Sequence, residues 1–276
     1  MQVRIIDAGA ASGLMEPLTA LVVKAGEAIL AVNRAAMRVD GKQDGSPVTE
    51  ADLAADRIIA DGLAQLAGDV PTLSEERAQH ATPPFRDSFF LIDPLDGTKE
   101  FVAGRDEFTV NLAIVTRGVP LLGIVAAPAL GLLWRGIVGR GAERVAFDGA
   151  TIRTAEPIRS RKLPEPGQPW IAAVSRSHGD KKSEAFIDGR PNAVRRKLGS
   201  AVKFGRIAEG SADIYPRFGP TSEWDVGAGC AVVTAAGGRV TDGQGSEIRF
   251  GERGDTGFII PAFVAWGDPQ AVVPID

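Results

Sequence analysis

Hydrophobic positions at helical spacing mark two segments in the first quarter of the chain. Residues 15 to 37 carry apolar side chains three and four apart, with no breaker after Pro17, and predict a helix. Residues 46 to 68 predict a second helix, because Thr49 suits an N-cap, acidic residues follow in the first turn, and Gly68 suits the end. We expect these two helices to pack together.

Short apolar runs between glycines and prolines follow these helices and predict strands of a mainly antiparallel sheet. A segment from 157 to 169 then combines prolines with basic residues, and we interpret it as the crossing between two lobes. The predicted strands of the first lobe are "PTLS" at 71–74, "FFLID" at 89–93, "FTVNLAIV" at 108–115, "LLGIVAA" at 121–127 and "LLWRGIV" at 132–138.

Helical and strand patterns alternate after the crossing, which predicts a layered α/β second lobe. The chain is thereby divided into a leader or tag at 1–13, a helix-pair and sheet lobe at 14–156, and an α/β lobe at 157–276. Predicted strands are "WIAAVS", "NAVRRKL" and "ADIYPR", and predicted helices are "DKKSEAFIDG", "AVKFGRIAEG" and "WDVGAGCAVVTAAGG".

Composition removes several classes of function. The 276 residues are 44% hydrophobic and 24% charged with a net charge of -4, which is typical of a soluble globular protein and gives no basic excess for polymeric nucleic acid. A single cysteine, Cys230, excludes an intrachain disulfide and fits a reducing compartment, and its apolar setting favours a buried helix position. The longest uncharged stretch, 118–134, is too short and too interrupted to be a transmembrane segment, and residues 1–13 show no apolar core behind a basic start, so we do not expect secretion.

Two aspartates close a strand-like run in "LIDPLDGTKEF", residues 91 to 101. Pro94 removes a backbone donor and is expected to end the strand, while Gly97 permits a turn after Asp96. Asp93, Asp96 and the carbonyl of Leu95 could converge there on a hard divalent cation. An ordinary turn is the alternative, since Asp-Pro and Asp-Gly are common turn pairs.

Further carboxylates stand at comparable places. Glu75 and Glu76 follow the strand "PTLS", and Asp225 lies in the first turn of an apolar helix. Each could be a solvated turn or a complement to the helix dipole, but together with the aspartate pair they form the ligand set of a two-metal or three-metal site. If these groups meet, two carboxylates about 4 Å apart repel by roughly 4 kcal/mol at an effective dielectric of about 20, so without divalent cations they would protonate or separate. Oxygen-only ligands favour Mg²⁺ over zinc.

These motifs are recognisable as a set. "PVTEAD", "LSEE", "DPLDGTKEF" and "WDVGAG", in this order, resemble the inositol monophosphatase superfamily, and within it the bacterial 3'(2'),5'-bisphosphate nucleotidase branch. The resemblance spans about residues 14 to 245 and implies an α/β (α+β) fold, a layered αβαβα sandwich. It also implies catalysis with two to three Mg²⁺ ions and inhibition by Li⁺. Residues 1–13 and the tail from 251 depart from the pattern.

The resemblance assigns roles by position. It implies that Thr98 orients the attacking water with support from Asp52, and that Glu75 helps through a third metal ion. The implied metal ligands are Glu75, Asp93, the Leu95 carbonyl, Asp96 and Asp225, and the implied contacts to the reacting phosphate are Gly97, Thr98 and Lys99.

Three further motifs, "SRSH", "GSAVKF" and "YPRFGP", resemble the nucleotidase branch. They imply Ser200 and Lys203 on a second phosphate or the ribose, Arg217 near the sugar and base, and His178 at the base. Without the resemblance, Lys203 would be interpreted as an exposed helix lysine and Arg217 as a loop cation.

The expected activity is hydrolysis of the 3'-phosphate of adenosine 3',5'-bisphosphate to AMP, which recycles a by-product of sulfate assimilation. Inositol monophosphatase or sugar bisphosphatase activity is the first alternative, and a non-catalytic phosphate-responsive binding protein is the second. We expect a cytoplasmic protein, with peripheral association at the inner membrane and homodimer formation as options.

Overall fold

A helix longer at its start than predicted opens the fold. In the computed structural model α1 spans Ala8–Ala31, and the side chain of Asp7 caps it by accepting from the Ala10 amide at 2.8 Å. The prediction of 15 to 37 was therefore wrong at both ends, since the helix starts seven residues earlier and ends at Ala31, where the extended backbone of Val32 stops it. The structure describes residues 4–34, 36–37, 39–41, 47–81, 85, 87–177, 179–252 and 256–274.

The segment before α1 belongs to the folded lobe. Ile6 is fully buried, its amide donates to Ser88 Oγ at 2.8 Å, and its carbonyl accepts from Thr116 Oγ1 at 2.9 Å. The interpretation of 1–13 as a leader or tag was thus wrong for residues 4–13, because one buried isoleucine leaves no periodic signal. Residues 1–3 lie outside the described part of the chain.

The second helix follows its sequence signals. α2 spans Glu50–Ala67, with Thr49 as N-cap and Gly68 as C-cap, as predicted. Asp52 completes a capping box by accepting from the Thr49 amide at 2.8 Å. The apolar sides of α1 and α2 pack in one cluster over the first sheet.

The first sheet has seven strands: β3 Thr72–Ser74, β4 Ser88–Asp96, β5 Thr109–Thr116, β6 Val119–Ala127, β7 Leu132–Ile137, β8 Gly141–Asp148 and β9 Thr151–Ile158. They lie side by side in chain order, and all neighbours are antiparallel except β3 and β4. Strands β8 and β9 were not predicted, because β8 mixes polar and apolar positions and β9 is exposed along nearly its whole length. Two short strands, β1 (Val39–Gly41) and β2 (Pro47–Thr49), pair separately.

Pro94 does not end its strand. β4 continues to Asp96, and the expectation of an end at Pro94 was wrong. Asp93 pairs with Asn111 and Asp96 pairs with Thr109, so β4 has one more residue than β5 over this interval. Side chains three apart in a regular strand point to opposite faces, and the extra residue of the bulge lets Asp93 and Asp96 share one side.

The second sheet has five strands: β10 Ile171–Ser175, β11 Val194–Leu198, β12 Ile214–Arg217, β14 Arg239–Thr241 and β16 Phe263–Trp266. Their order across the sheet is β11-β10-β12-β16-β14, so the charged strand β11 lies at an edge. The C-terminal tail supplies β16 as an interior strand between β12 and β14, although its sequence matched no expected element. Two short strands, β13 Thr221–Ser222 and β15 Ile259–Ile260, pair separately.

The elements stack in five layers. Helices α1 and α2 cover one face of the seven-stranded sheet, α5 (Val202–Ala208) and α6 (Glu223–Ala235) lie between the two sheets, and α4 (Lys181–Asp188) covers the outer face of the second sheet. The predicted αβαβα sandwich is confirmed, whereas the lobe boundary at residue 157 stays a prediction. Among the described helices, none combines the length and apolarity needed to cross a membrane.

Candidate active site

Three aspartates converge where the bulge of β4 meets the start of α6. Carboxylate oxygens of Asp93, Asp96 and Asp225 lie within 4.8 Å of one another. The bulge in β4 presents the first two, and the start of α6 presents the third. Asp225 is held there because it accepts from the Ser222 amide at 3.1 Å and from the Thr221 hydroxyl.

Burial makes this cluster electrostatically unfavourable without a cation. It raises the pKa of Asp93 well above its usual range, and the charge of Glu75 raises that pKa further. Burial also raises the pKa of Asp96 to about 6, with Asp225 as the next cause. Closely spaced oxygen ligands whose charges repel fit a hard divalent cation such as Mg²⁺, so the residues present suit the implied metal.

Glu75 reaches the same pocket from a different element. It opens a short 3-10 helix, Glu75–His80, and lines the pocket with Asp96 and Asp225. Asp56 of α2 fixes the residues around it, because its carboxylate accepts from Ser74 Oγ at 2.6 Å and from Arg77 at 3.1 Å. Sequence reasoning missed Asp56, although it follows Asp52 by one helical turn.

Thr98 lies beside the cluster at the start of α3, Thr98–Val102. Its hydroxyl is 3.0 Å from Asp52 Oδ1 and 3.2 Å from the Leu95 carbonyl oxygen. Asp52 is buried and also accepts from Thr49, so its position is set by the cap of α2. The predicted pair of Thr98 and Asp52 is therefore brought together at the pocket that the carboxylates line.

Lys203 and Arg217 line a second part of the same pocket, the cationic wall. Lys203 is only 2% exposed, so it is not the exposed helix lysine of the alternative interpretation. Its ammonium donates to the Ser200 carbonyl at 2.5 Å and lies 5.1 Å from the centre of the Tyr215 ring. Burial lowers the pKa of Lys203 to about 8, and the charge of Asp96 opposes that shift. Arg217 lines the same pocket and donates to the Pro220 carbonyl at 3.1 Å.

Ser200 links the two walls. Its hydroxyl lies 2.9 Å from the Asp96 carbonyl oxygen and 3.1 Å from that of Glu107. Gly97 has φ +93°, and a Cβ there would lie 2.1 Å from Ser200 Oγ, so only glycine fits this approach.

The predicted substrate-binding roles of Lys99 and His178 stay predictions. Lys99 is exposed at the rim of the pocket, and His178 lies outside the described residues. Sequence reasoning also missed Tyr215 and Glu100, which both line the pocket. Burial raises the pKa of Tyr215 to about 12, so it lines the pocket as a neutral phenol. Its status as the single tyrosine of the chain was the available signal.

A layered αβαβα sandwich with a carboxylate cluster at a strand bulge defines a class of phosphatases. The model of the inositol monophosphatase family matches residues 12–265, and the chain belongs to that family.

Curated relatives carry a more specific name. The chain is 38% identical over 258 residues to the 3'(2'),5'-bisphosphate nucleotidase CysQ of Salmonella typhimurium, covering 91% of this chain and 98% of the relative. It is 37% identical to the protein of the same name from Escherichia coli K12, with the same coverage.

Solved structures agree with the fold. CysQ from Bacteroides thetaiotaomicron superposes with a TM-score of 0.76 at 31% identity, over 92% of this chain and 97% of that one. An inositol monophosphatase from Zymomonas mobilis gives 0.73 at 25% identity, over 95% and 96%. Both names occur among proteins that share this architecture.

Proposed function

We propose that this chain is a magnesium-dependent phosphomonoesterase that hydrolyses the 3'-phosphate of adenosine 3',5'-bisphosphate, giving AMP and phosphate. One observation carries the proposal: a single pocket has a carboxylate cluster on one wall and the buried cation Lys203 with Arg217 on the other. A substrate with two phosphates uses both walls, since the metal cluster serves one phosphate and Lys203 serves the second, with Arg217 near the nucleoside. The nucleotidases among the relatives support the same substrate.

The metal-binding groups in this proposal are Glu75, Asp93, Asp96, Asp225 and the Leu95 carbonyl. Bound Mg²⁺ ions, two or three in number, supply charge that polarises a phosphoryl group and lowers the pKa of a water molecule. The chain contributes their placement through the bulge of β4, the cap of α6 and the 3-10 helix at Glu75.

Thr98 and Asp52 provide the proton acceptor. Because Thr98 donates its own proton toward Asp52 at 3.0 Å, the lone pairs of Thr98 Oγ1 are left to accept a hydrogen bond from the attacking water. Asp52 is buried and held by the Thr49 cap, so the pair is oriented before substrate arrives. The turn at Gly97 and Thr98, with Lys99 at the rim, is proposed to contact the reacting phosphate.

The remaining contacts belong to the nucleoside and its 5'-phosphate. Lys203 and Ser200 are proposed to bind the second phosphate or the ribose, and Arg217 the sugar and base. His178, which follows strand β10, is proposed at the base. From the family resemblance we further propose a cytoplasmic enzyme of sulfate assimilation that Li⁺ inhibits. A homodimer and association with the inner membrane are additional proposals.

A phosphate-release assay over a panel of esters tests the function. Adenosine 3',5'-bisphosphate should give the highest kcat/KM, with inositol 1-phosphate and fructose 1,6-bisphosphate at least tenfold lower, and excess chelator should abolish the activity. A preference for inositol 1-phosphate would instead support the inositol monophosphatase activity named for the Zymomonas relative. No hydrolysis of any ester with Mg²⁺ present would favour a binding protein.

A further inference from the structure

Glu107 lies in the chain between α3 and β5. It contacts the turn at Gly199 and Ser200, which precedes the helix that carries Lys203. Its carboxylate oxygen Oε2 accepts from the Gly199 amide at 2.9 Å and from the Arg176 guanidinium at 2.5 Å. Its carbonyl oxygen lies 3.1 Å from Ser200 Oγ. Three contacts thus join this one residue to Arg176, Gly199 and Ser200, which lie about 70 to 90 residues further along the chain.

The turn that Glu107 holds is strained. Ser200 has φ +47°, a left-handed conformation that is unfavourable for a residue with a Cβ. Gly199 fits only because it has no side chain, since a Cβ there would lie 2.3 Å from the Glu107 carbonyl oxygen and 2.8 Å from its Cβ. A strained turn persists where its surroundings fix it, and Glu107 supplies much of that fixing.

The same turn places Lys203. The Ser200 carbonyl accepts from the Lys203 ammonium at 2.5 Å, and Ser200 Oγ lies 2.9 Å from the carbonyl of Asp96. The turn therefore connects Asp96 of the carboxylate cluster to Lys203, the buried cation of the cationic wall. Its position sets the separation between the two places where phosphates would bind.

We propose that Glu107 is a positioning residue for substrate specificity: it holds the Gly199–Ser200 turn, and through it Lys203, at the separation from the carboxylate cluster that suits an adenosine with two phosphates. The inference rests on the proposed function and adds a residue that does not itself touch substrate. Its side chain is about one fifth exposed, and its partner Arg176 about two fifths, so replacement leaves the core of the protein intact.

The mechanism predicts selective damage. If the carboxylate is removed, the turn loses the acceptor for the Gly199 amide and relaxes toward unstrained backbone angles, which moves Lys203. Adenosine 3',5'-bisphosphate then loses its contact to the second phosphate. Adenosine 3'-monophosphate has the same scissile bond and base but no second phosphate, so its kcat/KM should fall less than that of the bisphosphate.

The test compares Glu107→Ala and Glu107→Gln with the parent enzyme on both nucleotides at saturating Mg²⁺. The ratio of kcat/KM for the bisphosphate to kcat/KM for the monophosphate should fall about tenfold in the alanine variant. It should fall about threefold or less in the glutamine variant, whose amide oxygen still accepts from Gly199. Asp148→Asn is the matched control, because it removes an exposed carboxylate paired with Arg153 on the outer strand, and its ratio should equal the parent's.

A binding measurement without turnover completes the test. AMP keeps the second phosphate, so its dissociation constant by isothermal titration calorimetry should rise about tenfold in Glu107→Ala, while that of orthophosphate should stay within twofold. If the parent enzyme prefers the bisphosphate but Glu107→Ala loses equally on both nucleotides, so that its ratio equals the parent's, the role of Glu107 is overturned and the proposed function stands. A parent enzyme with no such preference would overturn both.

Discussion

Thr98 of α3 and Asp52 of α2, which are 46 residues apart in the chain, form a hydrogen bond of 3.0 Å. Removing the hydroxyl should affect the attacking water without affecting metal binding. We expect Thr98→Ala to lower kcat by roughly a hundredfold or more, as for loss of a positioned proton acceptor. The Mg²⁺ dependence of the thermal midpoint should match the parent's, and a variant that no longer responds to Mg²⁺ would show that Thr98 has a different role.

Asp56 should control how the enzyme responds to Mg²⁺. Asp56→Asn keeps an acceptor for Ser74 but loses the charge that attracts Arg77, so the segment that presents Glu75 becomes less fixed. The Mg²⁺ concentration for half-maximal rate should rise about threefold to tenfold, while kcat at saturating Mg²⁺ changes less. Asp61→Asn, an exposed position on the same helix, is the control. Equal responses of the two variants would contradict the prediction.

Asp96 should make the metal-free fold sensitive to pH. Its folded pKa of about 6 lies above the unfolded value of about 3.9, so the folded state binds the proton more tightly and becomes relatively more stable as pH falls between these values. Above about pH 6 the ionised carboxylate destabilises the fold. In chelator, Asp96→Asn should therefore be more stable than the parent at pH 7.5, and this advantage should shrink by pH 4.5.

Urea unfolding at both pH values measures that difference. Saturating Mg²⁺ should reverse the order at pH 7.5, because only the parent keeps its full ligand set and gains stability from the ion. A stability difference that is the same at both pH values would mean that the raised pKa of Asp96 does not affect folding.

The cationic wall should determine substrate choice. Joint replacement of Lys203 and Arg217 by alanine should lower the ratio of kcat/KM for adenosine 3',5'-bisphosphate over inositol 1-phosphate by about a hundredfold or more, since the charged contact of Lys203 to a phosphate contributes roughly 1.5 to 3 kcal/mol and a cation at the base adds about 1 kcal/mol. Lys24→Ala with Arg57→Ala is the control, because both are exposed cations on other surfaces. Steady-state kinetics on both esters measure the ratio. Equal losses of kcat/KM on both substrates would mean that Lys203 and Arg217 stabilise the fold or the metal site rather than determine substrate choice.

Lithium should inhibit by way of the metal site rather than by excluding substrate. The cluster consists only of oxygen ligands, which Li⁺ also accepts, and the family resemblance implies that Li⁺ enters as product leaves. Initial rates at varied substrate should therefore show uncompetitive or noncompetitive inhibition. Purely competitive inhibition, or no inhibition at tens of millimolar Li⁺, would contradict inhibition through the metal site.

The sequence predicted those elements whose signals are local. The helix at Glu50–Ala67 has its cap and its apolar period within its own residues, and the buried strands of the first sheet are continuous apolar runs. The aspartates of the site were found because turn residues and strand ends mark them. Their meeting within 4.8 Å depends on the bulge in β4, which no local pattern indicated.

Features set by distant contacts left no such signal. Lys203 belongs to a seven-residue helix that is buried on most sides, so spacing alone gave no sign that the lysine is inside. Glu107 meets Gly199 across 92 residues of chain. Strand β9 is exposed and polar, and β16 lies in a tail whose pattern matched no expected element. Each of these positions is decided by tertiary packing.

The buried Ile6 has a consequence for cloning boundaries. A gene fragment that begins where the family match begins, at residue 12, omits this side chain and the cap of α1 at Asp7. The hydroxyls of Ser88 and Thr116 would then lose their backbone partners, and water would enter beside the first sheet. Affinity tags on the amino end should therefore be joined ahead of residue 4, with the native segment kept between tag and helix.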